Sequence, residues 1–412
     1  MQSTRFNKTA AFFVALAIFA QESVWNFYDA QVPASLKQYI GSAAVIGLLM
    51  GIDNLLGIFV QPWMAHRSDQ RKAAGKGRFL FLLIGAPVAA LLFSLIPWAQ
   101  SIETLLVAMI GFAFVANGFK SIAESLTADY QAPGHRSKAN AVARIGVAMT
   151  IMASAAISYV VVDRDVRLAF VIPALLLVLG MYVACWGLGR QQPQGTPDEE
   201  QHQEVGIGAL VSDIFTSPDK RRLLLLLAVF GAQGTWSAIR SQLTPYAMEV
   251  LHLPRGAAGS VGFPAGIAFL IVALPVAILA ERTNRALVCT AGMVAIAIGC
   301  LVTFFATTPL QASIAMTIVG VGWAAFAINA VVILWSIVPN PRYLGAYTGF
   351  YWTAAALGST FMPALLGLLV DLTSWRYMML HAAGFTCVSV LLLLKVCRAA
   401  PAPNPHLKES AP

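Results

Sequence analysis

Two apolar stretches of this chain repeat each other but differ in the charge that each carries. Residues 16–31 read LAIFAQESVWNFYDAQ and residues 227–242 read LAVFGAQGTWSAIRSQ, so Asp29 and Arg240 occupy equivalent positions. A charge in apolar surroundings is costly unless it faces a partner, a ligand or water. The repeat therefore predicts one of two roles for this pair. Either the two side chains form an ion pair that closes a passage, or both contact a polar ligand directly.

Polar and aromatic side chains around this pair recur at helical spacing, in which positions i, i+3 or i+4, and i+7 share one face. The first repeat carries such a face at Glu22, Trp25, Asn26 and Asp29. The second repeat carries it at Gln233, Trp236, Ser237 and Arg240. Both faces are predicted to line a ligand site, which further includes Asn117, Asn329, Tyr351 and Trp352. Aromatic side chains at this spacing are more often part of helix packing.

Four carboxylates in apolar segments are candidates for reversible binding of a proton or a sodium ion. Asp53 stands in the middle of its segment with Asn54 beside it, and desolvation disfavours a charged carboxylate, which suits protonation. The alternative for Asp53 is a hydrogen bond to a neighbouring helix. The other three candidates are Glu22, Asp29 and Glu124.

A further group of charges is predicted to form an inner cluster. Lys120 and Glu124 are spaced i, i+4 and are expected to pair on one helix face. Arg144 lies at a similar depth in the next segment. This cluster is expected to act either as a relay for a cation or a proton, or as a structural network.

The elements that carry these residues are predicted to be membrane-spanning helices. Hydrophobic residues make up 58% of the chain and charged residues 11%, whereas soluble domains are about half apolar. Apolar runs of at least about 18 residues, enough to cross a bilayer as helix, recur throughout. Their continuity, without short alternation, excludes a β-barrel. Twelve spans are predicted at residues 9–35, 42–65, 78–98, 102–127, 139–162, 168–189, 222–248, 257–280, 286–307, 310–336, 345–370 and 376–397.

The predicted fold class is an all-α integral membrane protein with two pseudo-symmetric six-helix bundles, at residues 1–189 and 222–398. Residues 190–221 are predicted to form a cytoplasmic linker with a short interfacial helix, and residues 399–412 a cytoplasmic tail. Basic residues concentrate in the loops on the side of both termini, which the positive-inside rule assigns to the cytoplasm. The expected location is a cell membrane, namely a bacterial inner membrane. The net charge of +8 then needs no nucleic-acid partner.

Four segments carry a resemblance to a known family: WNFYDAQVP at 25–33, GIDNLLGIFVQPWMAHRSD at 51–69, ADYQAPGHRSKANA at 128–141 and GAYTGFYW at 345–352. With the helix count, they resemble the major facilitator superfamily, and more narrowly its glycoside-pentoside-hexuronide:cation symporters and sucrose-transporter-like relatives. The family's loop signature is loose here, because Gln70 follows Asp69 and the expected double arginine is Lys76-Gly77-Arg78. An uncharged polar residue is commoner in such relatives at the position of Asp29.

The resemblance implies that charged residues at the cytoplasmic helix ends lock together when the protein is closed on that side. The residues that would form this gate are Asp69, Arg71, Arg78, Asp129 and Arg136. The alternative is that they only anchor the topology through their positive charge.

The function implied is secondary active transport, in which two bundles rock about a central site. The leading expectation is uptake of a small polar, sugar-like solute coupled to a proton or another cation. One alternative is a proton-driven exporter of drug-like or carboxylate-bearing compounds, favoured by the tryptophans and Arg240. Another is a membrane receptor that does not transport.

No enzyme is predicted, since the chain shows neither GxxxxGK[ST] nor HExxH, and no Ser-His-Asp constellation. Its five cysteines have no metal-binding spacing, so neither a metal nor a cofactor is expected. The expected partners are a small-molecule substrate, a coupling proton or sodium ion, and the lipid bilayer. The protein itself is expected to be a monomer.

Overall fold

The part of the chain that the structure describes is mainly helical. In this computed structural model, that part comprises residues 6–132, 135–194, 207–340 and 343–398. The first six helices are α1 (Lys8–Lys37), α2 (Ala43–Ala73), α3 (Phe79–Leu95), α4 (Ile102–Tyr130), α5 (Arg136–Ile157) and α6 (Val166–Leu188). A short helix, α7 (Ile207–Thr216), precedes the second half. The second half contains α8 (Arg221–Val250), α9 (Arg255–Ser260), α10 (Phe263–Arg282), α11 (Arg285–Phe305), α12 (Pro309–Ile337), α13 (Leu344–Leu372) and α14 (Met378–Arg398).

Twelve membrane-spanning helices were predicted, and twelve helices among the described residues are long and apolar enough to cross a bilayer. The eighth span differs in detail, because it is broken into α9 and α10 around Gly262. The fifth span ends in a π-helical turn, Ser158–Val162, that follows α5. The all-α fold class is therefore confirmed, with local irregularities in the fifth and eighth spans.

Each half of the chain has its own hydrophobic core. In the first half, α1 packs against α4, α5 and α6, and in the second α8 packs against α13 and α14. The repeat that contains Asp29 and Arg240 thus forms an interior helix of each bundle. The two copies meet where α1 contacts α8.

Successive membrane-spanning helices run in opposite directions, so the positions of the chain ends define the two sides of the protein. We call the side on which α1 begins and α14 ends the terminal face, and the other side the opposite face. Of the predicted linker, residues 195–206 lie outside the described part, as does the whole predicted tail at 399–412. On the terminal face, Asp213 of α7 forms an ion pair with Arg222 of α8 and accepts a hydrogen bond from the Tyr347 hydroxyl at 3.0 Å.

The two bundles are in close contact in the half of the membrane nearest the opposite face. A Cβ atom added to Gly51 of α2 would lie 2.1 Å from the carbonyl oxygen of Thr360 in α13. A Cβ atom on Gly367 of α13 would lie 2.2 Å from the carbonyl oxygen of Ala43 in α2. Only glycine permits this approach of the two backbones. The pairing of α2 with α13 therefore seals that half of the interface.

Candidate functional site

A cavity of about 700 Å³ lies between the two bundles, in the half of the membrane nearest the terminal face. We call it the central cavity. It is lined by residues of α1, α2, α4 and α5 from the first bundle and of α8 and α13 from the second. Its predicted site residues are Glu22, Trp25, Asp53, Asn117, Lys120, Glu124, Arg144, Gln233 and Trp352. Its lining also contains polar residues that were not predicted: Asn54, Gln61, Ser121, Thr353 and Ser359.

The inner charged cluster is built differently from the prediction. The ion pair of Lys120 is with Glu22 of α1, with the ammonium nitrogen 3.1 Å from Glu22 Oε1. The predicted partner within α4, Glu124, is also a cavity residue but does not form that pair. The Lys120 nitrogen also lies 5.7 Å from the centre of the Trp25 ring, close enough for a cation–π contact. Lys120 therefore pairs with a residue of another helix, and not with the residue four positions along α4 that its spacing favoured.

Asp53 lies in the wall of the cavity, with its residue only 9% exposed. Its Oδ1 accepts hydrogen bonds from the backbone and side-chain nitrogens of Asn54, at 2.8 and 2.9 Å. Asn117 of α4 donates to the Asp53 carbonyl oxygen at 3.0 Å and accepts from Gln61 at 2.8 Å. None of the ion pairs among the described residues involves Asp53. It is a buried carboxylate held by neutral donors.

Glu124 and Arg144 are exposed residues of the same cavity. Within the described part of the chain, neither takes part in an ion pair. Exposed charges of this kind remain hydrated or bind polar groups of a ligand. The cavity therefore offers one free carboxylate and one free guanidinium near the terminal face.

Asp29 and Arg240 form an ion pair, with Arg240 Nη2 2.6 Å from Asp29 Oδ2. The same guanidinium donates to Asn26 Oδ1 at 2.8 Å, and Asn26 in turn donates to Thr150 of α5 at 2.6 Å. Three helices, α1, α5 and α8, are thereby joined. The group lines a separate pocket of about 80 Å³ between the bundles, nearer the opposite face than the central cavity. Asp29, Arg240 and Asn26 were predicted as ligand residues, but none lines the central cavity.

The remaining predicted ligand residues lie in three places: the small pocket, the central cavity and the core of the second bundle. Trp236 lines the small pocket and stacks on Trp323 of α12, with ring centres 4.7 Å apart. Trp352 is 54% exposed and lines the central cavity, whereas its neighbour Tyr351 is 1% exposed and packs edge-on against it. Asn329 is fully buried in α12 and donates to the Ala325 carbonyl oxygen at 2.9 Å. Tyr351 and Asn329 therefore belong to the packing of the second bundle.

Two carboxylates that were not predicted join the bundles at the opposite face. Asp371, at the end of α13, accepts from the backbone nitrogens of Ala43 and Ala44 at 2.7 and 3.0 Å, and from the Ser42 hydroxyl at 2.5 Å. It caps the first turn of α2, a helix of the other bundle. Asp163, after α5, accepts from the Gly256 nitrogen of α9 at 2.7 Å. We call these two contacts the clasps.

The clasps are related by the same duplication as Asp29 and Arg240. Asp163 ends the sequence VVVD (160–163) of the first half, and Asp371 ends LLVD (368–371) of the second. Each lies at the end of the fifth span of its own bundle and accepts hydrogen bonds from the start of the second span of the other. Comparing the ends of equivalent spans, not only their apolar centres, would have identified both residues from the sequence.

Further contacts between the bundles surround the clasps. Arg255 of α9 donates to the Gln31 side-chain and carbonyl oxygens, both at 2.9 Å, and to the Ser35 hydroxyl at 2.8 Å. The Thr244 hydroxyl donates to the Ala30 carbonyl oxygen at 2.6 Å. Lys37 and Glu249 form an ion pair at the surface. Polar contacts thus reach from the Asp29–Arg240 pair to the opposite face.

The predicted gate residues on the terminal face form contacts within the first bundle. Arg78 lies 2.6 Å from Asp69 and 2.8 Å from Asp129, and Lys72 lies 2.5 Å from Asp129. These pairs tie together the end of α2, the start of α3 and the end of α4. The Nε atom of Arg71 is buried without a hydrogen-bond partner among the described residues. Arg136 begins α5.

A family model described as the Major Facilitator Superfamily matches this sequence over residues 11–353 and 225–412. The chain belongs to the major facilitator superfamily. It is accordingly a multi-pass membrane protein and a transporter, and not an enzyme, as predicted. The narrower resemblance to the glycoside-pentoside-hexuronide symporters stays a prediction.

Solved structures of this superfamily resemble the chain closely in fold. A bacterial homologue of the human lysosomal transporter Spinster, in an inward-facing and occupied conformation, is 15% identical over 96% of this chain and 98% of that chain, with a TM-score of 0.73. The nucleoside transporter NupG is 13% identical over 95% of this chain and 100% of that chain, with a TM-score of 0.73. No curated protein matches this chain significantly. At such identities the likeness shows a shared fold.

Exchanging the charges of Asp29 and Arg240 tests their mutual dependence. Asp29→Arg or Arg240→Asp alone places like charges together, and each is expected to lower thermal stability and transport. The side chains keep 27% and 32% of their surface exposed, so the loss should lie below about 3 kcal/mol, the lower bound for a fully buried pair. The double variant Asp29→Arg/Arg240→Asp should recover most of both properties. Failure of the double variant to recover either one would contradict a mutual bridge and indicate direct ligand contact.

Removing a clasp is expected to loosen the opposite face. A lost helix cap costs about 1 kcal/mol, so Asp371→Ala or Asp163→Ala should each shift the equilibrium towards separated bundles by about fivefold. Distances between spin labels at Gln38 and Thr307, both exposed on that face, report the separation. Asp165→Ala is the matched control, because Asp165 caps α6 of its own bundle through Arg167 and Leu168. The assignment is wrong if Asp165→Ala changes the distances as much as the clasp variants do.

Proposed function

We propose that the protein imports a small polar, sugar-like solute together with protons, by alternating access of the central cavity to the two sides of the membrane. The observation that carries the proposal is a polar cavity of about 700 Å³ walled by both bundles, with a buried carboxylate in its side. A site shared by two bundles changes its exposure when the bundles rock. The cavity therefore has the position that a transported solute requires.

The lining of the cavity supports a polar solute with several hydroxyl groups. Gln61 and Gln233 offer amide groups, and Ser121 and Ser359 offer hydroxyl groups. The Asn117 amide is already hydrogen-bonded to Gln61, Asp53 and Ala113 and helps to hold the wall of the cavity. The Trp25 and Trp352 side chains add aromatic surface, on which the apolar face of a sugar ring can stack. Such a mixture of a few polar groups and aromatic faces is typical of sites that fix the orientation of a small ligand.

Asp53 is the carboxylate best suited to carry the coupling proton. Glu22 is neutralised by Lys120 at 3.1 Å, and Asp29 by Arg240 at 2.6 Å. Glu124 is exposed and stays hydrated, whereas Asp53 is 9% exposed and has only neutral donors around it. A buried carboxylate without a cation gains most from binding a proton. Because Asp53 belongs to α2, which lines the cavity, the solute and the proton would both bind to this helix.

The arrangement of contacts supports an inward-facing state. The clasps, the Arg255 contacts and the Asp29–Arg240 pair all join the bundles between mid-membrane and the opposite face. On the terminal face, the described ion pairs of Asp69, Lys72, Arg78 and Asp129 stay within the first bundle. With the termini in the cytoplasm, as the basic loops predict, the cavity is on the cytoplasmic side. Uptake then requires the clasps to break and the terminal face to close.

The features that favoured a drug exporter lie outside the central cavity. Trp236 stacks on Trp323, and Arg240 is neutralised by Asp29 in the small pocket. Neither side chain is available there to a large apolar or carboxylate-bearing compound. Import of a polar solute is therefore the better-supported proposal.

Identifying the solute is the first experimental step. A thermal-stabilisation screen of the purified protein against sugars, nucleosides, organic acids, amino acids and drug-like amines tests the solute class. Stabilisation by sugars or other polyhydroxylated solutes is expected, because a ligand that binds only the folded state raises its stability. Stabilisation by drug-like amines alone would contradict the proposed class.

Asp53→Asn should uncouple transport from the proton gradient. The variant keeps the shape of the side chain and can still form hydrogen bonds, but its amide group cannot bind and release a proton as a carboxylate does. In proteoliposomes with an imposed proton gradient, the variant should no longer accumulate the solute above its external concentration. Exchange of labelled for unlabelled solute should continue. Glu124→Gln, a cavity carboxylate that is exposed, is the control and should keep pH-driven accumulation. Full gradient-driven accumulation by Asp53→Asn would overturn this assignment.

A further inference from the structure

A third cavity, of about 280 Å³, opens on the outer surface of the first bundle. Helices α2 and α3 both pack against α4, and this groove lies between them. Its lining is almost entirely apolar and consists of Val60, Trp63, Met64, Leu80, Phe81, Ile84, Gly85, Phe114, Val115, Gly118 and Phe119. We call it the α2–α3 groove. It shares no residue with the central cavity.

The groove faces the hydrocarbon of the bilayer. Trp63, Ile84 and Phe114 on its walls are 48%, 57% and 46% exposed. Two glycines belong to its lining. The ring of Phe119 packs against Gly85, where an added Cβ atom would lie 2.7 Å from Phe119 Cδ1, whereas Gly118 leaves space. A Cβ atom on Gly118 would meet nothing nearer than Met64 Cγ at 3.7 Å, an ordinary contact distance. Gly118 can therefore accept a Cβ atom, and the groove beside it has a volume of about 280 Å³.

Unpaired positive charges lie where the groove reaches the terminal face. The guanidinium carbon of Arg67 lies 4.7 Å from the centre of the Trp63 ring, one helical turn away on α2. Lys76 is exposed in the turn that joins α2 to α3, the two helices that carry the groove, on the terminal face. Neither cation has an ion-pair partner among the described residues.

The carboxylates at the adjoining ends of α2 and α4 are already neutralised. Asp69 pairs with Arg78 at 2.6 Å, and Asp129 pairs with Lys72 at 2.5 Å and Arg78 at 2.8 Å. Arg67 and Lys76 therefore present an excess of positive charge at the level of the lipid headgroups. Basic side chains at this depth attract anionic lipids. A zwitterionic lipid, which carries its own cation, gains less.

We propose that the α2–α3 groove binds an anionic glycerophospholipid of the leaflet at the terminal face, with an acyl chain in the groove and its phosphate at Arg67 and Lys76. Shape and charge agree on this occupant, because the apolar part lies deeper in the membrane and the cations lie at its surface. The lipid would contact α2, the helix that carries Asp53 and meets α13 at the opposite face. The lipid site is separate from the central cavity, so the lipid can bind whichever solute is transported.

Competition between two lipids tests the proposal. Purified full-length protein is mixed with equal amounts of phosphatidylglycerol and phosphatidylcholine with identical acyl chains, and bound lipid is counted by native mass spectrometry. The unaltered protein should retain phosphatidylglycerol several-fold more than phosphatidylcholine. Arg67→Gln/Lys76→Gln should reduce this preference towards equality. Gly118→Leu, which fills the groove, should lower retention of both lipids while the thermal unfolding temperature stays near that of the unaltered protein.

A matched control exists on the same face of the protein. Arg190 stacks on Trp186, with its guanidinium carbon 3.6 Å from the ring centre, but lies outside the groove lining. Arg190→Gln should therefore leave the lipid preference unchanged. The proposal is overturned if the unaltered protein shows no preference, or if Arg190→Gln reduces it as much as the double variant does. Photo-crosslinking by an acyl-labelled phosphatidylglycerol should mark peptides of α2, α3 or α4, and marking confined to other helices would equally overturn it.

Discussion

A charge within a bilayer must have a counter-charge, a hydrogen-bonding partner or water, and this constraint organises the interior of the protein. Glu22 is neutralised by Lys120, and Asp29 by Arg240, in each case by a residue from another helix. Glu124 and Arg144 are exposed to the central cavity instead. Asp53 differs from all of these, because it is buried with neutral donors alone. Of the four membrane carboxylates Glu22, Asp29, Asp53 and Glu124, Asp53 alone is buried with hydrogen-bond donors but no counter-charge, and it lies beside the cavity.

The duplication of the chain supplies the second principle of the structure. Equivalent positions of the two halves contribute opposite charges to one pair, Asp29 and Arg240. They also contribute equivalent carboxylates to two clasps, Asp163 and Asp371. In each clasp a carboxylate satisfies backbone N–H groups at the start of a helix in the other bundle, which would otherwise need water or another acceptor. These contacts can break without leaving a buried charge, because Asp163 and Asp371 are exposed and water can reach their carboxylates. They suit an interface that must open and close.

Much of this fold followed from local properties of the sequence. Apolar runs predicted the twelve spans, and the repeat identified Asp29 and Arg240 as equivalent residues before their contact was known. The break between α9 and α10 was missed, because its residues are apolar and glycine-rich like the spans around it. The fold was predictable because hydropathy and duplication need no knowledge of tertiary contacts.

The site was less predictable, because its assignments depend on distances between helices. Lys120 was assigned to Glu124 by helical spacing, but α1 brings Glu22 to 3.1 Å. Gln233 and Arg240 share a face of α8, yet two helical turns separate them and they line different cavities. Asp371 was missed because an acid at the end of a span resembles an ordinary loop residue. One helical face can thus serve two sites at different depths.

The central claim is that the cavity opens on the side of the termini while the opposite face is closed, and cysteine accessibility tests it most directly. The five native cysteines are replaced, and a single cysteine is introduced at Thr353, an exposed residue of the central cavity. A membrane-impermeant maleimide is then added to sealed vesicles of each orientation, identified by protease access to a tag after residue 412. Rapid labelling from the side that carries the termini, with little from the other side, is the predicted result. Faster labelling of Thr353→Cys from the opposite side would contradict the account.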